Sequence, residues 1–283
     1  MNKTIVQKVK APDQWFGVDY NMNIYRGCSH GCIYCDSRSH CFKIENFSTI
    51  VPKENALEVI RNDLRRKVTT GVVGNGAMGD PYNPLEKTLK LTRNSLELMN
   101  AFGFGASITT KSPLVTRDID VLQDIQSHSP VVVNFSITTA DDVLCKTLEP
   151  RVAPTSDRLN AMAALADSGI FTGVFVIPML PFLTDTPENI QGILRQAKAA
   201  GARFVYTYMG MTLRPGSREY FYSKLDDTVR EQYQKRYGFR KNLTTPHGKK
   251  LWEVFVKECE QLGLLYDMKG IAYYYKGNAS SSQ

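Results

Sequence analysis

The 283-residue sequence has no long uninterrupted apolar segment. Its most apolar stretch, residues 170–183, is interrupted by Pro178 and Pro181 and is shorter than the roughly 20 apolar residues that a membrane-spanning helix needs. Residues 1–15 also lack the apolar core of a secretory signal peptide. The sequence therefore predicts a cytoplasmic protein with no membrane contact.

The sequence is also poor in cysteine, and its six cysteines are unevenly distributed. Four of them lie between residues 28 and 41, whereas Cys145 and Cys259 stand alone. A small secreted protein held together by disulfides spreads its cysteines along the chain. This distribution instead indicates metal or redox chemistry in the N-terminal part of the protein.

The clearest pattern along the chain is an alternation of β-branched apolar segments with amphipathic helical ones. The predicted strands are residues 23–26, 72–78, 105–110, 131–137, 172–177 and 203–208. In the last predicted helix between strands, Thr186 is the expected N-cap and Pro187 the first helical residue. Repeated strand–helix units imply a parallel sheet. Six units are two short of a closed barrel, so we expect an α/β fold of the open, partial (β/α)6 type with its site at the carboxyl ends of the strands.

This pattern divides the chain into four expected parts. Residues 1–19 form an N-terminal extension and residues 20–211 the partial barrel. Residues 212–276 form a basic and aromatic extension, helical near residues 250–262, that covers the barrel. The polar residues 277–283 are expected to be a disordered tail.

Three cysteines directly follow the first predicted strand. Cys28, Cys32 and Cys35 have Cys-x3-Cys-x2-Cys spacing, and Gly27 and Gly31 allow the loop to turn tightly enough to bring the three thiols together. Three thiolates on a four-iron four-sulfur (4Fe–4S) cluster leave one iron free to bind another molecule. The spacing therefore favours a 4Fe–4S cluster.

Two other interpretations of these cysteines remain open. One is a zinc site completed by His30, His40 or Cys41, and the other is a set of ordinary structural thiols. Zinc ligands more often come as two close pairs, and no second pair follows in this sequence. Cys41 itself is expected to be a small buried apolar residue, although a hydrogen-atom donor or a ligand is also conceivable.

Together with four further motifs, the cysteine segment resembles the radical S-adenosylmethionine (SAM) superfamily, and within it the spore photoproduct lyase branch. The motifs are GAMGDPYNPLE at residues 76–86, TTKS at 109–112, NFSIT at 134–138, and LEP at 148–150 with Arg158 downstream. The similarity covers about residues 20–210. It implies a partial barrel, a 4Fe–4S cluster held by the three cysteines, and SAM bound to the free iron through its amino and carboxylate groups.

The resemblance also implies a set of SAM contacts. These are the ring of Tyr34 beside the adenine, Gly79 and Asp80 at the amino group, Lys111 at the carboxylate, Ser136 near the ribose, and the backbone of Ile177 at the adenine. A zwitterionic methionine group needs both an acceptor and a cation, which Asp80 and Lys111 supply. Alternatively, Asp80 forms a turn with Pro81 and Lys111 is solvated. For Glu149 and Arg158, a part in the SAM site and a structural ion pair are equally good interpretations.

Two positions depart from spore photoproduct lyase. That enzyme has a hydrogen-donating cysteine near the end of the second strand, where this sequence has Ala77. The tyrosine that follows its third cluster cysteine is replaced here by Asp36. These differences argue against thymine-dimer repair in that form.

The formal net charge of +7 is concentrated in one segment. Residues 214–250 contain ten Lys or Arg and four Asp or Glu, a difference of +6. Six aromatic residues are interleaved with them: Tyr220, Phe221, Tyr222, Tyr233, Tyr237 and Phe239. Such a mixture suits DNA or RNA binding through phosphates and stacked bases, but it also suits a solvated helical face with inward-packed rings.

These observations predict an enzyme that cleaves SAM reductively to a 5′-deoxyadenosyl radical for hydrogen abstraction. Nucleic acid is one candidate substrate, and a small molecule or a peptide is the alternative. A non-catalytic metal-binding module is the alternative of another class. The family resemblance implies a flavodoxin- or ferredoxin-type electron donor as partner.

Overall fold

The computed structural model describes residues 4–10 and 15–277. The strands are Val6–Lys8 (β1), Tyr20–Met22 (β2), Tyr25–Arg26 (β3), Val51–Pro52 (β4), Val72–Asn75 (β5), Gly105–Thr110 (β6), Val131–Ser136 (β7), Thr172–Val176 (β8), Phe204–Thr207 (β9), Gly210–Thr212 (β10) and Asn242–Thr244 (β11). The α-helices are Ala56–Arg65 (α1), Glu86–Leu89 (α2), Leu91–Ala101 (α3), Ile119–Gln126 (α4), Asp142–Leu148 (α5), Thr155–Asp167 (α6), Pro187–Ala199 (α7), Ser217–Tyr222 (α8), Asp227–Tyr237 (α9), Gly248–Leu262 (α10) and Met268–Gly277 (α11). Among the described residues, no helix is both long and apolar enough to cross a membrane.

The main sheet has seven strands in the order β1-β2-β5-β6-β7-β8-β9. The six strands from β2 to β9 run parallel, and β1 pairs antiparallel with β2 at the edge. Within the described residues, β9 and β1 form no pairing that would close the sheet. The predicted α/β fold with an open six-unit barrel is confirmed, and the N-terminal segment adds a seventh strand to it.

The first strand of the sheet lies earlier than predicted. Residues 23–26 were expected to form it, but β2 ends at Met22, and Tyr25–Arg26 pairs instead with Val51–Pro52 in a separate ribbon. Tyr20, Met22 and Ile24 are all buried, so the two-residue apolar alternation continues through the segment. That alternation cannot show where the chain exchanges one hydrogen-bonding neighbour for another.

The two faces of the sheet bury different clusters. One face, with side chains such as Ile108 and Val133, packs against the surrounding helices. The other face carries Val132, Phe175 and Phe204, which pack against Phe16 and against Ile271 and Tyr275 of α11. The last helix and the segment around Phe16 therefore fill the inner face of the open barrel.

The chain after β9 contributes to three separate places. Residues of β10, α8, α9 and β11 form an apolar cluster with Cys32, Ile33 and Tyr34. Helix α10 packs against α7 and buries Leu251, Phe255 and Cys259. Helix α11 ends at Gly277, so the first residue of the predicted tail is helical, and the rest of that tail, residues 278–283, lies outside the described residues.

Candidate active site

The loop that carries the three cysteines is tightly anchored. Gly27 has φ +77°, and a Cβ there would lie 2.1 Å from the carbonyl oxygen of Thr49. Only glycine fits this combination of backbone angle and close approach. The amide of Cys28 donates to the carbonyl of Phe47 at 2.8 Å, which fixes the start of the loop.

The three thiols face one cavity of about 150 Å³ at the carboxyl edge of the sheet. The loops after β5 and β6 and the last residue of β7 bring further predicted site residues to the same cavity, because the carboxyl ends of parallel strands meet at one edge. Its lining comprises Cys28, His30, Cys32, Cys35, Ser37, Gly76, Ala77, Met78, Gly79, Asp80, Thr109, Thr110, Lys111 and Ser136. Seven of the nine predicted site residues are therefore together, and Tyr34 and Ile177 are not among them.

The three thiols have different electrostatic surroundings. Burial raises the pKa of Cys28, but the adjacent His30 outweighs it, and the pKa of this thiol lies below its ordinary value. Burial raises the pKa of Cys32, and the negative charge of Glu149 raises it further. Burial and the neighbouring Cys28 likewise raise the pKa of Cys35.

This donor set fits an iron–sulfur cluster. Thiolates are the usual ligands of such clusters, and three of them converge here without forming a disulfide. In the described part of the chain, no group of three or more His, Cys, Asp or Glu side chains is arranged to hold a metal ion.

Asp80 ties together the ends of two neighbouring strands. Its Oδ1 accepts hydrogen bonds from the amide of Tyr82 at 2.8 Å and the hydroxyl of Thr110 at 2.7 Å. Its Oδ2 accepts from the amide of Lys111 at 2.6 Å and lies 3.6 Å from Nδ1 of His30. The carboxylate therefore fixes the backbone beside the cavity.

Lys111 provides the cationic group of the cavity. Its Nζ lies 6.0 Å from the ring centroid of Tyr34, and within residues 4–10 and 15–277 it makes no hydrogen bond or ion pair. Burial lowers the pKa of this amine, but the charge of Glu149 and other neighbours outweighs it and the pKa is raised. The side chain stays charged and is available to an anionic group.

Tyr34 belongs to the apolar cluster behind the cysteine loop and not to the cavity wall. Its ring packs with Leu148, Leu180 and neighbouring apolar side chains. Its hydroxyl donates to the carboxylate of Glu149. The ring therefore lies behind the cavity wall, and its predicted place beside the adenine stays a prediction.

Ile177 lines a second cavity, of about 210 Å³, on the inner face of the barrel. This cavity shares Gly76, Ala77, Thr109 and Ser136 with the first one. Its remaining lining is aromatic, apolar or neutral polar: Trp15, Val18, Asn21, Gly74, Asn75, Ser107, Phe175 and Ile177. Two adjoining spaces therefore share one wall at the ends of β5, β6 and β7.

Three features of the site differ from the sequence analysis or were missed by it. Cys41 is exposed, so the expectation of a buried apolar residue was wrong. The ion pair between Glu149 and Arg158 is present and fully buried. The sequence analysis considered His30 only as a zinc ligand. In the structure it lies between Cys28 and Asp80, and apart from its place in the cysteine loop, nothing in the sequence indicated this position.

The basic segment presents less free charge than its composition indicates. Arg214 pairs with Asp36, and Arg218 donates to three backbone carbonyls. Three of the six aromatic side chains, Phe221, Tyr233 and Tyr237, are buried. Phe239, which is 91% exposed, stands beside the exposed Arg240.

Comparison with known proteins identifies the family. The family model of the radical SAM superfamily matches residues 22–197. The chain belongs to the radical SAM superfamily. An uncharacterized protein of Methanocaldococcus jannaschii is 31% identical over 244 residues, which cover 83% of this chain and 88% of that protein. The predicted resemblance is thereby confirmed.

The chain is also similar to two further proteins. An uncharacterized protein of Mycobacterium tuberculosis is 34% identical over 209 residues, which cover 71% of this chain and 61% of that protein. The radical SAM chain thus spans about three fifths of this relative. The structure of spore photoproduct lyase in complex with dinucleoside spore photoproduct matches with a TM-score of 0.69 at 16% identity, over 94% of this chain and 79% of that one.

Membership of the superfamily brings the two predicted cofactors with it. Radical SAM proteins use a 4Fe–4S cluster and SAM, and these predictions are confirmed at the level of the family. The fold is that of spore photoproduct lyase. The three-thiol cavity at the carboxyl edge of this sheet is the part of the chain whose chemistry suits both cofactors.

Proposed function

We propose that this protein is an enzyme that cleaves SAM reductively and abstracts a hydrogen atom from a substrate held on the inner face of the barrel. The observation that carries the proposal is the convergence of Cys28, Cys32, Cys35 and Lys111 on one cavity. When bound, the reduced cluster supplies the electron that splits SAM into methionine and a 5′-deoxyadenosyl radical.

Different residues of the cavity would bind different parts of the two cofactors. The three cysteine thiolates hold the cluster and leave one iron for SAM. The unpaired ammonium of Lys111 attracts the carboxylate of SAM. Ser136 lies on the wall shared by both cavities, where its hydroxyl can accept a hydrogen bond from a ribose hydroxyl or donate one to it.

The apolar cluster behind the cysteine loop keeps water out. Leu180, Leu213 and Phe221 are fully buried and pack in the same cluster as Cys32 and Tyr34. A radical formed in the cavity would otherwise react with solvent or with oxygen. We therefore assign residues 211–243 the role of closing one side of the cofactor site.

The second cavity is the proposed place of the substrate's reacting group. It adjoins the cofactor cavity along Ala77, Thr109 and Ser136. Ala77 stands where spore photoproduct lyase has its hydrogen-donating cysteine, so a product radical here meets no thiol at that position. The proposed reaction is therefore not thymine-dimer repair in the form that uses this thiol.

Reductive SAM cleavage tests the proposal directly. Protein reconstituted without oxygen should be brown, and with dithionite it should form methionine and 5′-deoxyadenosine from SAM. Cys32→Ala should lose both the colour and the products, whereas Cys41→Ala should keep them because Cys41 is exposed and faces neither cavity. Stoichiometric zinc with negligible iron and sulfide in the reconstituted protein would refute the proposal.

The substrate cavity can be tested with tryptophan fluorescence. The chain has two tryptophans, Trp15 at this cavity and Trp252 on α10. A ligand that enters the cavity should change the emission of Trp252→Phe, which retains Trp15, and leave that of Trp15→Phe unchanged. Equal responses of both variants would show binding elsewhere.

We also propose that the substrate is part of DNA or RNA. Supporting this are the exposed Lys235, Arg236, Arg240 and Lys241, with the exposed ring of Phe239 among them. This stretch connects α9 to β11, which pairs with β10 next to the end of β9. It therefore lies toward the same edge of the sheet as the cavity.

Oligonucleotide binding at several salt concentrations tests the nucleic-acid proposal. Arg236→Ala combined with Arg240→Ala should weaken binding and lower the salt slope by about one per lost phosphate contact. The matched control is Arg61→Ala with Arg65→Ala, because both arginines are exposed on α1. Equal weakening in the two double variants, or no binding at all, would favour a small molecule or a peptide as substrate.

We further propose a flavodoxin- or ferredoxin-type protein as electron donor. The support is the family alone, since its members need a single low-potential electron for each cleavage. Reduced flavodoxin should replace dithionite in the cleavage assay. Activity with dithionite and none with either reduced flavodoxin or reduced ferredoxin would refute this partner.

A further inference from the structure

A buried charged network lies directly behind the cofactor cavity. Glu149 and Arg158 are both 0% exposed and form an ion pair. A buried ion pair contributes little net stability, since desolvation offsets most of its attraction, and apolar residues of similar size often serve equally well. The pair therefore calls for an explanation beyond folding.

Arg158 is held entirely by protein groups. Its Nε donates to the carbonyl of Ala153 at 2.8 Å and its Nη1 to the carbonyl of Ser136 at 2.9 Å. Its Nη2 donates to Glu149 and lies 3.2 Å from the sulfur of Cys145. One end of the network thus fixes the end of β7, where Ser136 enters the wall of both cavities.

Glu149 connects this end to the cysteine loop. Its carboxylate accepts from the hydroxyl of Tyr34, which lies between Cys32 and Cys35, and from the hydroxyl of Thr138 at 3.1 Å. The residues beside it hold the same loop through the backbone. The amide of Ile33 donates to the carbonyl of Leu148 at 3.0 Å, and the amide of Arg151 donates to the carbonyl of His30 at 3.2 Å.

We propose that Glu149 is a positioning residue for SAM binding, acting through Tyr34 on the cysteine loop and through Arg158 on the carbonyl of Ser136. The inference rests on the proposed function because it places SAM between these two walls. A single carboxylate holds both walls at a fixed separation, and neither Glu149 nor Arg158 touches the ligand space. Its negative charge also helps to raise the pKa of Lys111.

The test is a double-mutant cycle on SAM affinity. Tyr34→Phe removes the hydroxyl and keeps the ring, and Glu149→Gln removes the charge. The dissociation constant of SAM is measured by equilibrium dialysis on reconstituted, unreduced protein, together with iron and sulfide content and melting temperature. Each single variant should bind SAM about tenfold more weakly, corresponding to one lost hydrogen bond to a buried charge. The double variant should bind as Glu149→Gln does, because both changes break the same connection.

Tyr20→Phe is the matched control. Tyr20 is also buried, and its hydroxyl donates to the carbonyl of Thr69 at 2.7 Å, away from both cavities. This variant should keep the wild-type SAM affinity even if its melting temperature falls. An equal loss of affinity in Tyr20→Phe would show that general destabilisation explains the effect, and the inference would be wrong.

The other outcomes are equally decisive. Unchanged SAM affinity in Tyr34→Phe and Glu149→Gln would overturn the inference, as would losses that multiply in the double variant. Should Glu149→Gln not fold, Thr138→Val removes the second hydroxyl donor to the same carboxylate and completes the cycle with Tyr34→Phe. Wild-type protein that assembles the cluster and binds no SAM would instead refute the proposed function itself.

Discussion

Asp80→Asn is the substitution for which the structure gives the most definite expectation. The Asp80 side chain is 5% exposed and accepts hydrogen bonds from the Tyr82 amide, the Thr110 hydroxyl and the Lys111 amide. An asparagine keeps one side-chain oxygen and has an NH2 group, a hydrogen-bond donor, in place of the other. When the remaining oxygen faces Tyr82 and Thr110, the NH2 group faces the backbone N–H of Lys111, so two donors are opposed.

The size of the effect follows from these contacts. A hydrogen bond to a charged group contributes about 1.5–3 kcal/mol, and a buried unpaired donor costs about 1–3 kcal/mol. In the variant, two of the three hydrogen bonds to residue 80 remain, but their acceptor is no longer charged. In place of the third bond, two N–H donors face each other and neither has an acceptor. We therefore expect the free energy of unfolding to fall by about 2–4 kcal/mol. Thr110→Val removes only one of the three bonds to Asp80, together with the bond that the Thr110 hydroxyl accepts from the Ser112 amide, and should cost about 2 kcal/mol.

The assay is urea unfolding of cluster-free protein, followed by circular dichroism. Using protein without the cluster separates the stability effect from any loss of metal. SAM affinity of the reconstituted Asp80→Asn variant, measured separately, should also fall because the backbone of Lys111 shifts. A loss below about 0.5 kcal/mol, within the range of ordinary surface substitutions, would refute the role of Asp80 in holding the two strand ends together.

Two further predictions concern the cysteine loop and the remaining thiols. Gly27→Ala should lower the iron content after reconstitution severely, because its Cβ would collide with the Thr49 carbonyl at 2.1 Å. Gly238→Ala, which also has positive φ but no atom within 4 Å of the added Cβ, should keep full iron content. In folded reconstituted protein at pH 8, iodoacetamide should alkylate the exposed Cys41, as mass spectrometry would show. Cys259 should stay unmodified until unfolding, because burial raises its pKa to about 12 and the thiol remains protonated.

The strand–helix alternation was predictable because each unit carries its own local signals. Thr186 caps α7 by accepting from the amide of Asn189, and Pro187 starts the helix, as the sequence indicated. The fully buried strands β7 and β8 were equally clear from their β-branched composition. The first strand was predicted too late in the sequence. The alternation of buried residues continues beyond Met22, although the chain stops pairing with β5 there and pairs with β4 from Tyr25 onward.

The cavity could be predicted only as far as topology determines it. Gly79 and Lys111 follow β5 and β6, and Ser136 ends β7, so their meeting at one edge of the parallel sheet follows from the fold. The contact between Glu149 and Tyr34 could not be predicted in this way. Glu149 lies 115 residues from Tyr34, and nothing in the spacing of the two shows that their side chains are bonded.

The charge of the C-terminal segment illustrates why composition alone is a weak guide to binding. Arg218 is 7% exposed and its guanidinium is used to hold backbone carbonyls, while Arg214 neutralises Asp36 beside the cysteine loop. Both arginines are therefore engaged by protein groups and are not free to bind a phosphate backbone. The nucleic-acid proposal accordingly depends on the exposed side chains within residues 235–241, which is why its test changes Arg236 and Arg240 and leaves Arg214 and Arg218 intact.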